Sequence, residues 1–244
     1  MIDPKLVKKV VQSQADTLAT NYKMIDLLEG NLEPYIVRNL ERLLSQRVLR
    51  YALERIVPIN IIPRYVDKLS NIYQTGVIRE VSEGSEADAD LLSWYEKQTH
   101  INQIMHQSNR LYNACRSTLI HPYVTEDGPK VRVIPNDRFA VHSNDPIDPT
   151  KPTMVVLIAG RDSQKREIYW VYTDTEFAVV KSDESIDFQA MEEMGLADGI
   201  NPYGVLPFVY VNQSNLRLIP SPDLDSIRLA EYIPAALTLS LIHI

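Results

Sequence analysis

The hydrophobic period of this chain changes from helical to strand-like midway along it, and that change constrains the fold more than any other feature. Before Pro122 apolar residues recur every three or four positions; from Tyr123 they recur every second position. Steps of three and four place side chains on one stripe of a helix, whereas steps of two place them on one face of a strand. A final helix-like run follows the strands. Helices, then antiparallel strands, then a helix is an α+β order, not an alternating β/α one.

Residues 1–79 read as an N-terminal helical region. Asp3-Pro4 supplies an N-cap acid and a proline at the first helical position, and Leu6, Val10, Leu18, Ile25 and Leu28 carry one helix to the break at Gly30-Asn31. A second helix spans 34–57. Its stripe is Ile36, Leu40, Leu43, Leu44, Val48 and Tyr51, and Pro58 ends it. PINIIPRYVDKLSNIYQTG adds a proline-bounded extended piece and a short helix ending near Gly76. Residues 80–122 form an acidic loop and a long helix. EVSEGSEADAD holds five acids and no base, and a helix from about Ala89 to His121 starts at Asp88 or Asp90 and stops at Pro122.

Residues 123–220 read as an antiparallel β-rich region. YVTEDGPK is a turn, and VRVI and RFAV are short strands joined by Pro-Asn-Asp in a compact meander. TMVVLIAG is apolar throughout, as a buried strand is, and EIYWVYTDTEFAVVKSD gives two strands about a Thr-Asp-Thr turn. Residues 182–199 are an acidic, helix-containing excursion. GVLPFVYVN is a last strand, held to an edge or a bulge by Pro207. Residues 221–238 begin a helix, with Ser221 as its cap and Pro222 at its first position. The closing LSLIHI, residues 239–244, matches one translated frame of a transposon-end sequencing adapter. It is either adapter read-through, with the natural protein continuing, or a genuine hydrophobic C-terminus.

The charge of −7 argues against a free-standing nucleic-acid binder, which carries a basic excess, but not against a protein that surrounds DNA without gripping it. The single cysteine, Cys115, rules out an internal disulfide and fits a reducing compartment. The N-terminus has no uninterrupted apolar run of a secretory signal, and no segment approaches the ~20 apolar residues of a membrane span.

Catalytic patterns are sparse. The chain lacks GxGxxG, GxxxxGK[ST], GxSxG and HExxH, so it reads as a non-enzyme without a cofactor. His100 and His106 are six apart and fall on opposite faces of a helix. His121 and His142, placed in turns, reach a metal only if the fold gathers them with Asp137 or Asp145. NDRFAVHSNDPIDP is either a carboxylate cluster for a hard cation or a set of turn formers. The rival function is therefore a small metal-dependent hydrolase or cation-binding domain using the His142–Asp145 region. Cys115 is a candidate nucleophile by type and a small core residue by context. Arg38, Arg42, Arg47, Arg50 and Arg55 make the second helix basic. They do not share a face, since Arg47 falls within the apolar stripe and the others are spread around the helix, and they lack interleaved aromatics for stacking bases. They serve either as a subunit interface, pairing with the acidic 80–90 or 183–198 segment of a neighbour, or as solvated arginines with local partners such as Glu41 and Glu54.

Four stretches together resemble the portal proteins of tailed bacteriophages: NYKMIDLLEGN; LYNACRSTLIHPYVTEDGPKVRVIPNDRFAVHSND; the strands MVVLIAG and REIYWVYTDTEFAVVK; and NPYGVLPFVYVNQSN, followed by the pre-stem-like SPDLDSIRLAEYIPAAL. The resemblance spans most of residues 20–238. It implies that the meander belongs to the wing of a ring, and that the ring holds typically twelve copies at one capsid vertex. It also implies double-stranded DNA passing through during packaging and ejection. Its implied partners are the terminase motor, head-completion and tail proteins, and capsid and scaffold proteins. Its implied location is the virion, after assembly in the host cytoplasm. The stem, clip and tunnel loop of portals follow the region matched, so the resemblance assigns no DNA-contacting residue here. A generic head–tail connector or tail-tube component is a further ring-forming alternative.

Overall fold

The computed structural model describes residues 2–73, 77–220 and 223–243. Helix α1 (Pro4–Ser13) starts as the sequence suggests: the Asp3 carboxylate accepts a hydrogen bond from the Lys5 amide at 2.9 Å, and Pro4 opens the first turn. The single helix expected to residue 29 is instead divided at Gln14, and α2 (Ala15–Leu28) follows. The Gln14 side chain has another use. It donates to the Val141 carbonyl at 2.7 Å and accepts from the Val141 amide at 3.3 Å, covering backbone groups of an edge strand.

The second expected helix also divides. Helix α3 (Glu33–Leu43) and helix α4 (Gln46–Leu53) meet at Leu44-Ser45, both in extended conformation. The break resets the helical phase. Ile36 and Leu40 are buried on α3, Leu49 and Ala52 face inward on α4, and Leu43, Val48 and Tyr51 are left to solvent. Helix α5 (Ile62–Leu69) is followed by a short 3₁₀ turn at Asn71–Tyr73; the expected end near Gly76 lies outside the described residues.

Helix α6 (Glu86–Thr99) begins three residues before the expected Ala89. Its cap is Ser85, in a reciprocal box: the Ser85 hydroxyl accepts from the Asp88 amide at 3.4 Å, and Asp88 accepts from the Ser85 amide at 2.8 Å. Asp88 is therefore the third helical residue, and neither it nor Asp90 is the cap. The long helix does not reach His121. It turns at His100, in the left-handed region, into α7 (Ile101–Cys115), and Arg116, also left-handed, ends it. Strand β1 (Ser117–Thr125) then starts before Pro122, the expected helix stop, because Ser117-Thr118-Leu119-Ile120 is rich in strand formers. Pro122 is tolerated inside the strand. Its neighbour on one side, β7 (Val209–Asn212), pairs with β1 only as far as Ile120.

Beyond β1 lie β2 (Gly128–Ile134), β3 (Phe139–His142), β4 (Met154–Arg161), β5 (Glu167–Tyr172), β6 (Phe177–Lys181) and the short α8 (Phe188–Glu193). The strands are antiparallel throughout but form two sheets, ordered β2-β1-β7 and β3-β4-β5-β6. VRVI and RFAV, expected as neighbours, belong to different sheets. Between them, buried Asn136 donates to the Ser117 carbonyl at 2.9 Å and to its hydroxyl at 2.8 Å, fixing the corner where the chain changes sheet. The β7 segment takes the edge position that Pro207 implied.

The four-stranded sheet is covered on both faces, which explains the apolar run at Met154–Leu157 of β4; from Ile158 to Arg161 the strand is partly exposed, so the expected buried strand is buried over its first half only. Val7 and Val10 of α1 pack with Ala140, Val156 and Val171 on one face; Leu119, Ile134 and Met191 pack with Val155, Leu157 and Phe177 on the other. A separate helical layer centres on Leu27, Leu32, Ile36, Leu40, Ile62 and Leu111 and is closed by the last helix, α9 (Leu224–His243), through Ile227, Ala230 and Ala235. The expected cap and first residue of that helix, Ser221 and Pro222, lie outside the described residues; Asp223 accepts from the Ser226 amide at 3.2 Å within its first turn. Residues 239–243 continue α9, and Ile244 lies outside the described residues.

Candidate interaction surface

Arg38 and Arg42 stand on α3, Arg47 and Arg50 on α4, and Arg55 just beyond it, all exposed. Arg47, expected within the apolar stripe, is outside it because of the break at Leu44-Ser45. The structure brings Arg47 and Arg50 together with Gln46, Tyr51 and Glu54 around an open cleft of about 570 Å³. Arg38 lies over the Tyr35 ring, 6.0 Å from its centre. Arg55 donates to the Tyr51 carbonyl at 3.2 Å and stands 4.0 Å from Glu54. Among the described residues no ion pair engages Arg42, Arg47 or Arg50.

Apolar side chains surround these cations. Tyr51 and Leu53 on α4 are exposed, as is Leu43 at the end of α3. Helix α9 carries a second apolar stripe opposite its buried one: Leu229, Tyr232, Ile233, Leu237 and Leu241 all face solvent. The sequence reading passed over this second stripe. Its signal was present, since EYIPAALTLSLI is apolar all round, a pattern that marks a helix covered on both sides.

A buried ion pair holds α9 in place. Glu231, 8% exposed, receives the Lys23 ammonium from α2, and Lys23 also lies 5.2 Å from the Tyr35 ring centre. The Tyr35 hydroxyl donates to Asp26 at 2.7 Å; burial, then this carboxylate, raise the phenol well above its ordinary range. Pro234 stands inside α9 beside this anchor, and the Thr238 hydroxyl, which donates to the Pro234 carbonyl at 2.8 Å, accepts from the Val57 amide at 3.2 Å.

The histidines and acids of the rival reading are scattered. His121 and His142 are in strands β1 and β3, not in turns. His121 is buried among Tyr123, Tyr172 and Phe208, and its Nδ1 accepts from the Arg132 guanidinium at 3.1 Å. Burial, with the Arg132 charge, pushes its pKa down to about 4, so it is neutral at physiological pH. The His142 Nε2 lies 2.6 Å from Asn144. Asp145 accepts from the amides of Ile147 at 2.8 Å and Asp148 at 3.1 Å, and these bonds lower its pKa. Its carboxylate therefore shapes a turn. Among the described residues no group of three or more histidine, cysteine or acidic side chains is arranged to hold a metal. Cys115, the last residue of α7, is 2% exposed in the helical core, and burial, with a smaller contribution from Asp137, pushes its thiol up to about 12. That is the opposite of an activated nucleophile.

Among the described residues no helix is long and apolar enough to cross a membrane. No protein-family model matches the chain, and no curated protein matches it.

Proposed function

We propose that this chain is a structural, non-enzymatic subunit of a tailed-phage portal ring. In this reading it forms part of the wing at the capsid vertex. The ring, of about twelve copies by the resemblance described above, passes double-stranded DNA and docks the terminase motor, later replaced by head-completion and tail proteins. The negative net charge suits such a role, because each phosphate contact along a channel adds salt-sensitive affinity and so resists sliding.

The observation that carries the reading is the outward apolar surface of α4 and α9. These helices pack against each other, yet each leaves large apolar side chains in solvent, among them Tyr51 and Leu53 on α4 and Tyr232 and Leu237 on α9. Adjoining exposed apolar surfaces mark sites of association. A ring needs two different, complementary faces on every subunit, and a helical layer with one open face supplies one of them. The order of helices, antiparallel sheets and a final helix agrees with the architecture that the resemblance implies.

Electron microscopy and mass photometry of the purified chain test the proposal. Closed annular particles with a central opening are the expected outcome. A monomer at all concentrations, or a closed two-fold dimer, overturns it.

A further inference from the structure

We infer that the basic, apolar surface of α3–α4 binds the acidic segment 80–90 and the start of α6 on a second copy of this chain. The inference rests on the ring-subunit reading and identifies which two faces meet. Three observations carry it.

The first is charge. Arg42, Arg47 and Arg50 are exposed and have no ion-pair partner among the described residues. The chain offers two acidic segments as complements, and the structure separates them. In the 183–198 segment, Asp183 pairs with Arg166 at 2.7 Å, Glu184 with Lys8 at 2.8 Å and Asp187 with Lys181 at 2.8 Å. That segment spends three of its six acids within its own subunit and leaves Glu192, Glu193 and Asp198 exposed. In the 80–90 segment, by contrast, Glu80, Glu83, Glu86 and Asp90 are exposed and no ion pair engages them among the described residues.

The second is composition. Each surface mixes one sign of charge with large apolar groups. Around the arginines these are Leu43, Val48, Tyr51 and Leu53; beside the acids they are Ile78, Val81, Leu91 and Trp94, all exposed. Charge of opposite sign fixes partner and register while the apolar groups supply burial, the division of labour found across protein interfaces.

The third is order and placement. The acidic segment is a built turn. Arg79 anchors its start to Glu96 at 2.8 Å and Asn102 at 2.7 Å, and the Ser85–Asp88 box fixes its end. A Cβ on Gly84 would stand 2.5 Å from a Val81 methyl, so the turn closes only around glycine. A preordered segment loses little entropy on binding. The surfaces also belong to different sides of the packing: α4 packs on α3 and α9, α6 on β2 and α7. Two unlike faces on separate elements give a head-to-tail contact, the kind that closes a ring.

Charge reversal tests the pairing. Arg47→Glu with Arg50→Glu reverses one face; Glu83→Lys with Asp90→Lys reverses the other and spares the capping box. Sedimentation velocity should show either pair of changes weakening association on the order of tenfold at low salt, and less at high salt. The chain carrying all four changes should recover it. As a geometric check, Arg50→Cys chains mixed with Glu83→Cys chains should form a disulfide across the contact, with buried Cys115 not competing. If the unaltered chain assembles but neither reversal weakens it, or the fourfold chain stays dissociated, the pairing is wrong and the ring reading stands. If the unaltered chain does not assemble, both fall.

Discussion

The four-stranded sheet and the α4–α9 pair treat apolar side chains in opposite ways. Every strand of the sheet finds cover on both faces, from α1 on one and from β1, β7 and α8 on the other. Helices α4 and α9 cover one face each and leave the other in solvent. Burial stabilises by roughly 25 cal/mol per Å² whichever surface is removed from water. The sheet has therefore collected its share within the chain, whereas the helical pair leaves part of its apolar surface in water.

The sharpest test of that contrast sets a covered residue against an open one. Phe177→Ala, at a side chain 1% exposed, should cost about 3–5 kcal/mol in urea unfolding, through lost transfer energy and the cavity left behind. A smaller loss would mean that the sheet core is looser than its packing suggests. The next effect depends on pH. His121 titrates near 6.5 in the unfolded chain and at about 4 in the folded one, so the unfolded state takes up its proton first. This contribution is complete above pH 6.5 and is lost as pH falls toward 4, by on the order of 3 kcal/mol. His121→Phe keeps the aromatic stack and should flatten that slope in pH-dependent thermal unfolding.

Lys23→Met probes the anchor of α9. It leaves Glu231 buried without its cation and should cost about 2 kcal/mol, less than for a fully buried pair because Lys23 is partly exposed. Lys23→Met with Glu231→Gln should recover part of the loss, and no recovery would show that the two side chains are not coupled. Ser85→Ala should cost about 1 kcal/mol through the lost cap of α6. Smallest of all, Leu237→Ser on the open face of α9 should change unfolding by less than about 0.5 kcal/mol while reducing oligomer mass in sedimentation. A large loss of stability there would place Leu237 in the subunit core and erase the contrast.

Much of this fold was legible because periodicity records burial. The α+β order, the buried run at Met154–Leu157, the hairpin about Thr173–Glu176 and the edge placement of β7, one of the two options Pro207 left open, all follow from local patterns. The breaks were not legible, since they answer to distant partners. Gln14 leaves its helix for Val141, far along the chain, and Leu44-Ser45 breaks a stripe that is continuous in sequence. The start of β1 was masked by Pro122, which reads as a helix stop until the short reach of β7 is known. For the candidate surface, the five arginines were visible in sequence, but which acids remain uncommitted was not, because Arg166, Lys8 and Lys181 arrive from other elements.

The closing of the helical layer by α9 carries a consequence for biosynthesis. Residues 117–212 lie between α7 and α9 as an excursion whose ends return together, with Ser117 paired to Asn212 and Arg116 3.8 Å from Asp223. The excursion can complete both sheets as it leaves the ribosome. The earlier helices cannot finish: α3 waits for a partner nearly two hundred positions downstream, and until then Ile36 and Leu40 lack their lid. The nascent chain thus carries a sticky, half-built N-terminal layer through most of its translation, and chaperone demand should concentrate there.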